Sequence, residues 1–190
     1  LFQKRYFKNQ KNKLIPFFEK FKSYKNRKAV LIALGTSNYK DTRLIKKTLI
    51  KYFKKRNIKN IKFYIDPKIF DNEFKKMGCV KADFSKKMYK EVKFAIIKPG
   101  LGTIEECLKR GIIIISYTKN TYSEFFHNSK ILIKNKLGYS FQTIEKSINF
   151  IIKNLNNIEL IKQHESNCKN LKWEGEKKVE KYLLKRRGNI

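Results

Sequence analysis

Three continuous apolar runs constrain this chain more than any other feature: Ala29–Leu34 (AVLIAL), Phe94–Ile97 (FAII) and Ile112–Ser116 (IIIIS). A strand with one face in water alternates apolar and polar residues, whereas a strand covered on both faces does not. Each run gives way to a turn and then to a segment of helical period. Within Thr42–Arg56, for example, Leu44, Ile45, Leu49, Ile50 and Phe53 recur three and four residues apart. The same reading predicts a short strand at Ile61–Ile65, closed by Asp66-Pro67. It predicts helices at Ser85–Val92, Thr103–Arg110 (ended by Gly111), Ser123–Lys136 (closed near Gly138), Ile144–Asn154 and about Glu176–Arg186. Strands alternating with helices give an α/β fold: a Rossmann-like, doubly wound, mostly parallel sheet with helices on both faces.

A length of 190 residues suits one sizeable core and not two ordinary domains. Residues 1–27 are expected to be a basic, aromatic linker interrupted by Pro16, and residues 28–190 the folded domain with its C-terminal helices. Because the first residue is Leu1 and not Met, the chain is expected to be a fragment or a processed product. No stretch approaches the ~20 apolar residues of a membrane span, and no secretory leader is visible. The expected compartment is the cytoplasm, with peripheral attachment to the cytoplasmic face of a membrane as a variant. Cys79, Cys107 and Cys168 form no paired spacing and are expected to be reduced thiols. Only two histidines occur, His127 and His164, so no metal site and no cofactor are expected.

Lys and Arg outnumber Asp and Glu by 46 to 16, for a formal charge of +30. Such an excess points to a polyanion, either nucleic acid or an anionic membrane surface. The cations are 39 Lys and only 7 Arg, however, while planar readout of phosphate and bases favours Arg. No recognised nucleic-acid motif accompanies them, which argues against nucleic acid as the partner. Lys, Ile and Asn also share A- and T-rich codons, so a drift in base composition accounts for the excess equally well.

The segment most suggestive of chemistry is Lys98-Pro99-Gly100-Leu101-Gly102-Thr103-Ile104-Glu105-Glu106, between a predicted strand and a predicted helix. Small residues let a ligand approach the backbone, and a helix N-terminus presents free N–H groups along a favourable dipole. That combination suits a diphosphate. The dinucleotide fingerprint is not met, because Glu105 stands at its third glycine, and the bland alternative is a simple tight turn. Glu106, on the first helical turn, is placed to accept hydrogen bonds from a ribose diol, as an acidic residue does in other Rossmann sites. A second cluster, Glu124-Phe125-Phe126-His127-Asn128, opens the next helix; His127 by itself reads as a helix-surface residue. In a parallel sheet the loops carrying Gly35-Thr36-Ser37, Gly100–Thr103 and Tyr117–Asn128 leave from the same rim and converge on one crevice.

At these residues the sequence resembles the carboxyl-terminal, donor-binding domain of GT-B fold glycosyltransferases, in particular the MurG-like branch, glycosyltransferase family 28. The likeness runs through a first strand ending in a Gly-Thr turn (Leu34-Gly35-Thr36-Ser37) and a Pro-Gly-x-Gly-Thr-x-x-Glu segment (Pro99 to Glu106). It continues in an acidic-Gln-x-x-Asn segment (Glu124, Phe125, Asn128), in which Phe125 stands where the family has Gln. It covers about Lys28 to Asn154. The resemblance implies that Gly35, Thr36 and Ser37 face the donor's phosphates and that Gly100, Leu101, Gly102 and Thr103 hold the diphosphate through backbone N–H groups. It further implies that Glu106 binds the ribose, that Lys81, Ala82 and Asp83 contact the base, and that Glu124 and Phe125 meet the sugar while Asn128 fixes their helix. The implied donor is a nucleotide-sugar, UDP-linked, with an acceptor that is membrane-associated. The acceptor site and catalytic base of this fold belong to an N-terminal domain or separate subunit, so no catalytic residue is named in this chain. A nucleotide-sugar hydrolase of the same fold and a basic nucleic-acid-binding protein stand as alternatives.

Overall fold

The computed structural model describes residues 21–34, 39–55, 61–119 and 123–171, nearly all of them within the compact unit Phe21–Lys169. The described strands of this unit are β1 (Ala29–Ala33), β2 (Phe63–Ile65), β3 (Val80–Lys81), β4 (Val92–Ile97), β5 (Ile113–Tyr117) and β6 (Gly138–Phe141). All pair in parallel, in the order β3-β2-β1-β4-β5-β6. Parallel neighbours require crossovers, and helices supply them. After β1 comes α1 (Tyr39–Lys55), after β2 α2 (Asn72–Lys76), after β3 α3 (Lys86–Glu91), after β4 α4 (Leu101–Leu108) and after β5 α5 (Ser123–Lys134). Two more, α6 (Ile144–Asn154) and α7 (Ile158–Lys169), come after β6. This is the doubly wound α/β fold that the apolar runs predict.

The reason the runs do not alternate is visible in the core. Val30, Ile32, Phe63, Ile65, Phe94, Ile96, Ile113 and Ile115 pack with Ile45, Leu49 and Phe53 of α1 and Ile144, Ile148 and Ile151 of α6. Leu31, Ala95, Ile97 and Ile114 point the other way and are equally buried, as are Ile104, Cys107 and Leu108 of α4. Both faces of the sheet are therefore dry, and α1 and α4 lie on opposite ones.

Local chemistry sets the helix starts. Asp71 accepts from the N–H groups of Glu73 (3.0 Å) and Phe74 (3.3 Å) ahead of α2. Ser85 accepts from Met88 N (3.1 Å) ahead of α3, and Thr143 from Lys146 N (3.3 Å) ahead of α6. Each replaces a bond that the first turn cannot make internally. Two expectations are corrected. The helix after β4 starts at Leu101, two residues before Thr103, because Gly100 and not a hydroxyl residue occupies its N-cap. Gly138 does not close α5; Lys136 takes the left-handed turn (φ 55°), and Gly138 opens β6. The helix expected near Glu176–Arg186 lies outside the described residues.

Opposite the strands' carboxyl ends, Arg27 gathers the chain. Its guanidinium donates to Arg110 O (2.7 Å) and to Glu165 of α7 (3.0 Å), and burial lowers its pKa. His164 of α7 is bonded to Ile112 O at 3.1 Å. The three cysteines are buried free thiols, with Cys79 pushed up to about 11 by burial and both Cys107 and Cys168 to about 12. Among the described residues no helix is long and apolar enough to cross a membrane.

Candidate functional site

The strand order turns back at β1, which has β2 on one side and β4 on the other. The chain leaves β1 for one face of the sheet and β4 for the opposite face, so the loops part and open a crevice at the carboxyl ends. Register places Ala33 beside Ile97 and Ile97 beside Ser116, which brings Leu34, Lys98-Pro99-Gly100 and Tyr117-Thr118 to one rim.

At this rim α4 starts without a side-chain cap, unlike α2, α3 and α6. Gly100 N donates to Lys98 O (2.8 Å), which curls the chain around Pro99, and Gly100 O accepts the first helical bond from Ile104 N (3.0 Å). Leu101 and Gly102 are exposed and Thr103 half-buried. A Cβ on Gly102 would meet nothing within 4 Å, so the space before the helix is open. Three N–H groups and the positive end of the helix dipole border that space, which is the physical make-up of an anion site.

The first turns of α5 lie against this one. Asn128, buried, donates its amide to Pro99 O at 2.8 Å. The ring of half-buried Phe125 comes within 3.7 Å of where a Gly100 Cβ would stand. Glu124, one turn before Asn128 on the same stripe of the helix, is exposed. Two segments well separated in sequence thus meet at one place, held by an amide that needs a backbone carbonyl as partner.

The remaining candidate residues are more dispersed. Gly35, Thr36 and Ser37 lie outside the described residues. Glu106 is turned along α4 toward Lys109 and Arg110 and pairs with both, while its side chain stays 37% exposed. Arg110 in turn lies over the Tyr89 ring at 4.7 Å, which ties α4 to α3. Lys81 is exposed at the edge strand; Ala82 is buried and gives its N–H to Ile65 O (2.8 Å), leaving its carbonyl. Asp83 accepts from Ser85 N (3.0 Å) and so shapes the start of α3.

Two rim residues carry no mark in the sequence. Asp66, buried, accepts from Leu34 N (3.1 Å) and Lys68 N (3.0 Å), and so couples the end of β2 to the end of β1. Its place in an Asp-Pro turn signals only a strand end. Phe84 follows Asp83 in a left-handed conformation (φ 54°) and is 44% exposed. A bulky residue there is strained, and nothing in the local sequence points to it.

No family model and no curated protein matches the sequence. Solved structures do match the fold. The chain is similar to the glycotransferase of kitacinnamycin at 12% identity and a TM-score of 0.62, with 88% of this chain aligned to 45% of that one. It is similar to the glycosyltransferase VinC in complex with DTDP at 12% identity and a TM-score of 0.54, covering 85% of this chain and 42% of that one. With Os79 from O. sativa, solved with UDP and deoxynivalenol-3-glucoside, the figures are 12%, 0.51, 76% and 36%. The chain spans less than half the length of each of these proteins. These likenesses show the fold, a Rossmann-like parallel α/β sheet that the three solved structures share.

Proposed function

We propose that this chain is the donor-binding domain of a GT-B glycosyltransferase of the MurG-like type, transferring a sugar from a UDP- or TDP-linked donor. The observation that carries the reading is the uncapped N-terminus of α4 at the sheet's switch point, clamped by α5 through Asn128 and Pro99 O. In this reading the N–H groups of Leu101, Gly102 and Thr103 hold the diphosphate, and backbone dipoles stabilise its departing charge without a metal. The ribose lies along α4 toward Glu106, which accepts from its hydroxyls on the exposed side while Lys109 and Arg110 fix the carboxylate. The base lies toward Ala82, with its carbonyl as acceptor and Phe84 as a stacking face. Glu124 and Phe125 meet the sugar. Acceptor and catalytic base come from a second domain or subunit, and the lysine-rich surface favours an acceptor in an anionic membrane.

The test is thermal denaturation with UDP, TDP, UDP-N-acetylglucosamine and duplex DNA, for the native chain and Gly102→Asp. The substitution fits the open space and suits the helix dipole, so the fold survives while a carboxylate takes the phosphate's place. Nucleotide at about 100 times its Kd stabilises the native chain by about 2.7 kcal/mol; the variant should show no shift. Stabilisation by DNA alone would transfer the argument to the nucleic-acid-binding alternative.

A further inference from the structure

From Thr42 to Lys55 the helix α1 carries six basic residues and no acid, whereas each of α2 to α7 contains at least one glutamate. Lys46 is paired with Asp71, and Lys54 with Glu73 at 3.0 Å. The other four, Arg43, Lys47, Lys51 and Lys55, are exposed and recur every fourth residue. That spacing places them on one gently winding stripe, about 18 Å long at ~1.5 Å per residue. Among the described residues none of the four has an acidic partner. Like charges four residues apart destabilise a helix, so the row weakens the element that carries it. A drift in base composition would spread such rows over every helix, yet on α7 Lys162 and Lys169 are offset by Glu159 and Glu165. Lys47, Lys51, Lys54 and Lys55 also border one shallow depression of about 610 Å³, together with Ile50 and Glu73. Leu44, 54% exposed, adjoins the start of the stripe.

A row of this kind complements a surface that is anionic and extended. Three of its four members are lysines, whose compact ammonium groups respond to charge without the planar fork that favours readout of a nucleic acid. Lipid headgroups need no such fork, and each lysine or arginine held near an anionic bilayer adds to the attraction. The depression has room for a headgroup phosphate or carboxylate, and Leu44 is an apolar side chain to set among the lipids. We infer that the α1 stripe is a docking surface for an anionic lipid bilayer, held by Arg43, Lys47, Lys51 and Lys55. The attraction is electrostatic and is screened as salt rises. The inference narrows the membrane reading of the lysine-rich surface to one helix. It needs no nucleotide, so its failure would leave the donor site at α4 untouched.

The experiment is co-sedimentation of the full chain with vesicles of phosphatidylcholine alone and of phosphatidylcholine mixed with phosphatidylserine. At about 0.1 M salt the native chain should bind only the mixed vesicles, and it should leave them as salt approaches about 1 M. The combined variant Arg43→Gln, Lys47→Gln, Lys51→Gln and Lys55→Gln keeps good helix formers in α1. It should bind at least about a hundredfold more weakly, at about fivefold for each charge removed. The pair Lys47→Gln and Lys51→Gln alone should cost about 25-fold, which keeps the test independent of the larger variant's folding. Changing Lys86, Lys87, Lys162 and Lys169 to Gln removes the same charge from exposed positions elsewhere, and should cost less than about tenfold. Equal losses in the two fourfold variants, or binding to phosphatidylcholine alone, would overturn the assignment. So would an α1 variant that loses binding to duplex DNA while keeping its hold on the vesicles, because the stripe would then belong to nucleic acid.

Discussion

At the scale of single residues, His164 shows how burial changes what a side chain is for. It is 5% exposed, Nε2 donates to Ile112 O at 3.1 Å, and Cys168 Sγ lies 3.4 Å from the same nitrogen. Burial, with a smaller contribution from the Arg27 charge, pushes its pKa down to about 4 against an attractive effect of the Ile112 carbonyl. An unfolded chain takes up this proton near pH 6.5, so the unfolded state binds it first as pH falls. The stability linked to His164 is therefore complete above about 6.5 and is lost toward 4, by about 2 kcal/mol between pH 7.5 and pH 5. Urea titrations at those two pH values should show the loss, and His164→Gln should remove most of it. A native chain as stable at pH 5 as at pH 7.5 would refute the assignment. None of this is legible in the sequence, where His164 stands among polar neighbours; its burial arises only when α7 docks beside Ile112 and Arg27. Asp66 is similar, since the Leu34 N–H that it satisfies belongs to a strand 32 residues away.

At the scale of elements, legibility depends on burial on two faces. The strands β1, β4 and β5 are flanked by other strands and covered by helices, and apart from Lys93 and Ser116 they are apolar throughout; they are read directly. The edge strands β3 and β6 have exposed positions and no apolar run, Val-Lys and Gly-Tyr-Ser-Phe, so they pass for loops. The helix α6 is marked by the Thr143 cap and four buried positions at helical spacing, and its predicted bounds match. In α7 the buried positions are His164 and Cys168, a pair that no hydrophobic period reveals. Gly138 carries a testable consequence of the β6 correction. A Cβ there would lie 2.7 Å from Ile114 O, a backbone atom of the neighbouring strand. Gly138→Ala must push β6 away from β5, and the cost should be about 1–3 kcal/mol in chemical denaturation. Gly102→Ala, with open space around it, is the control and should be neutral or slightly stabilising. Equal effects at the two sites would mean that Gly138 is a turn residue after all.

At the scale of the whole molecule, the site is legible where backbone geometry makes it and illegible where side-chain partnerships do. Small residues between a strand and a helix point to an anion site, and the position of that strand at the switch point comes from the fold. That Glu106 pairs with Lys109 and Arg110 emerges only from structure. The net charge belongs to this scale as well. Sixteen acids cannot offset 46 bases, even with the ion pairs that Asp71, Glu73, Glu91, Glu106 and Glu165 make among the described residues. Folding compresses this charge, so the compact state carries more self-repulsion than the expanded one. Chloride shortens the reach of that repulsion from about 30 Å at 0.01 M to about 10 Å at 0.1 M. The melting temperature should therefore rise smoothly with sodium chloride over that range, without saturating at a stoichiometric concentration. A nucleoside diphosphate acting at α4 should instead raise it along a saturable curve at constant ionic strength, and Gly102→Asp should abolish the second effect while leaving the first. A melting temperature that stays flat or falls as chloride is added would show that the surface charge is already balanced, and that the lysine excess exerts no net strain on the fold.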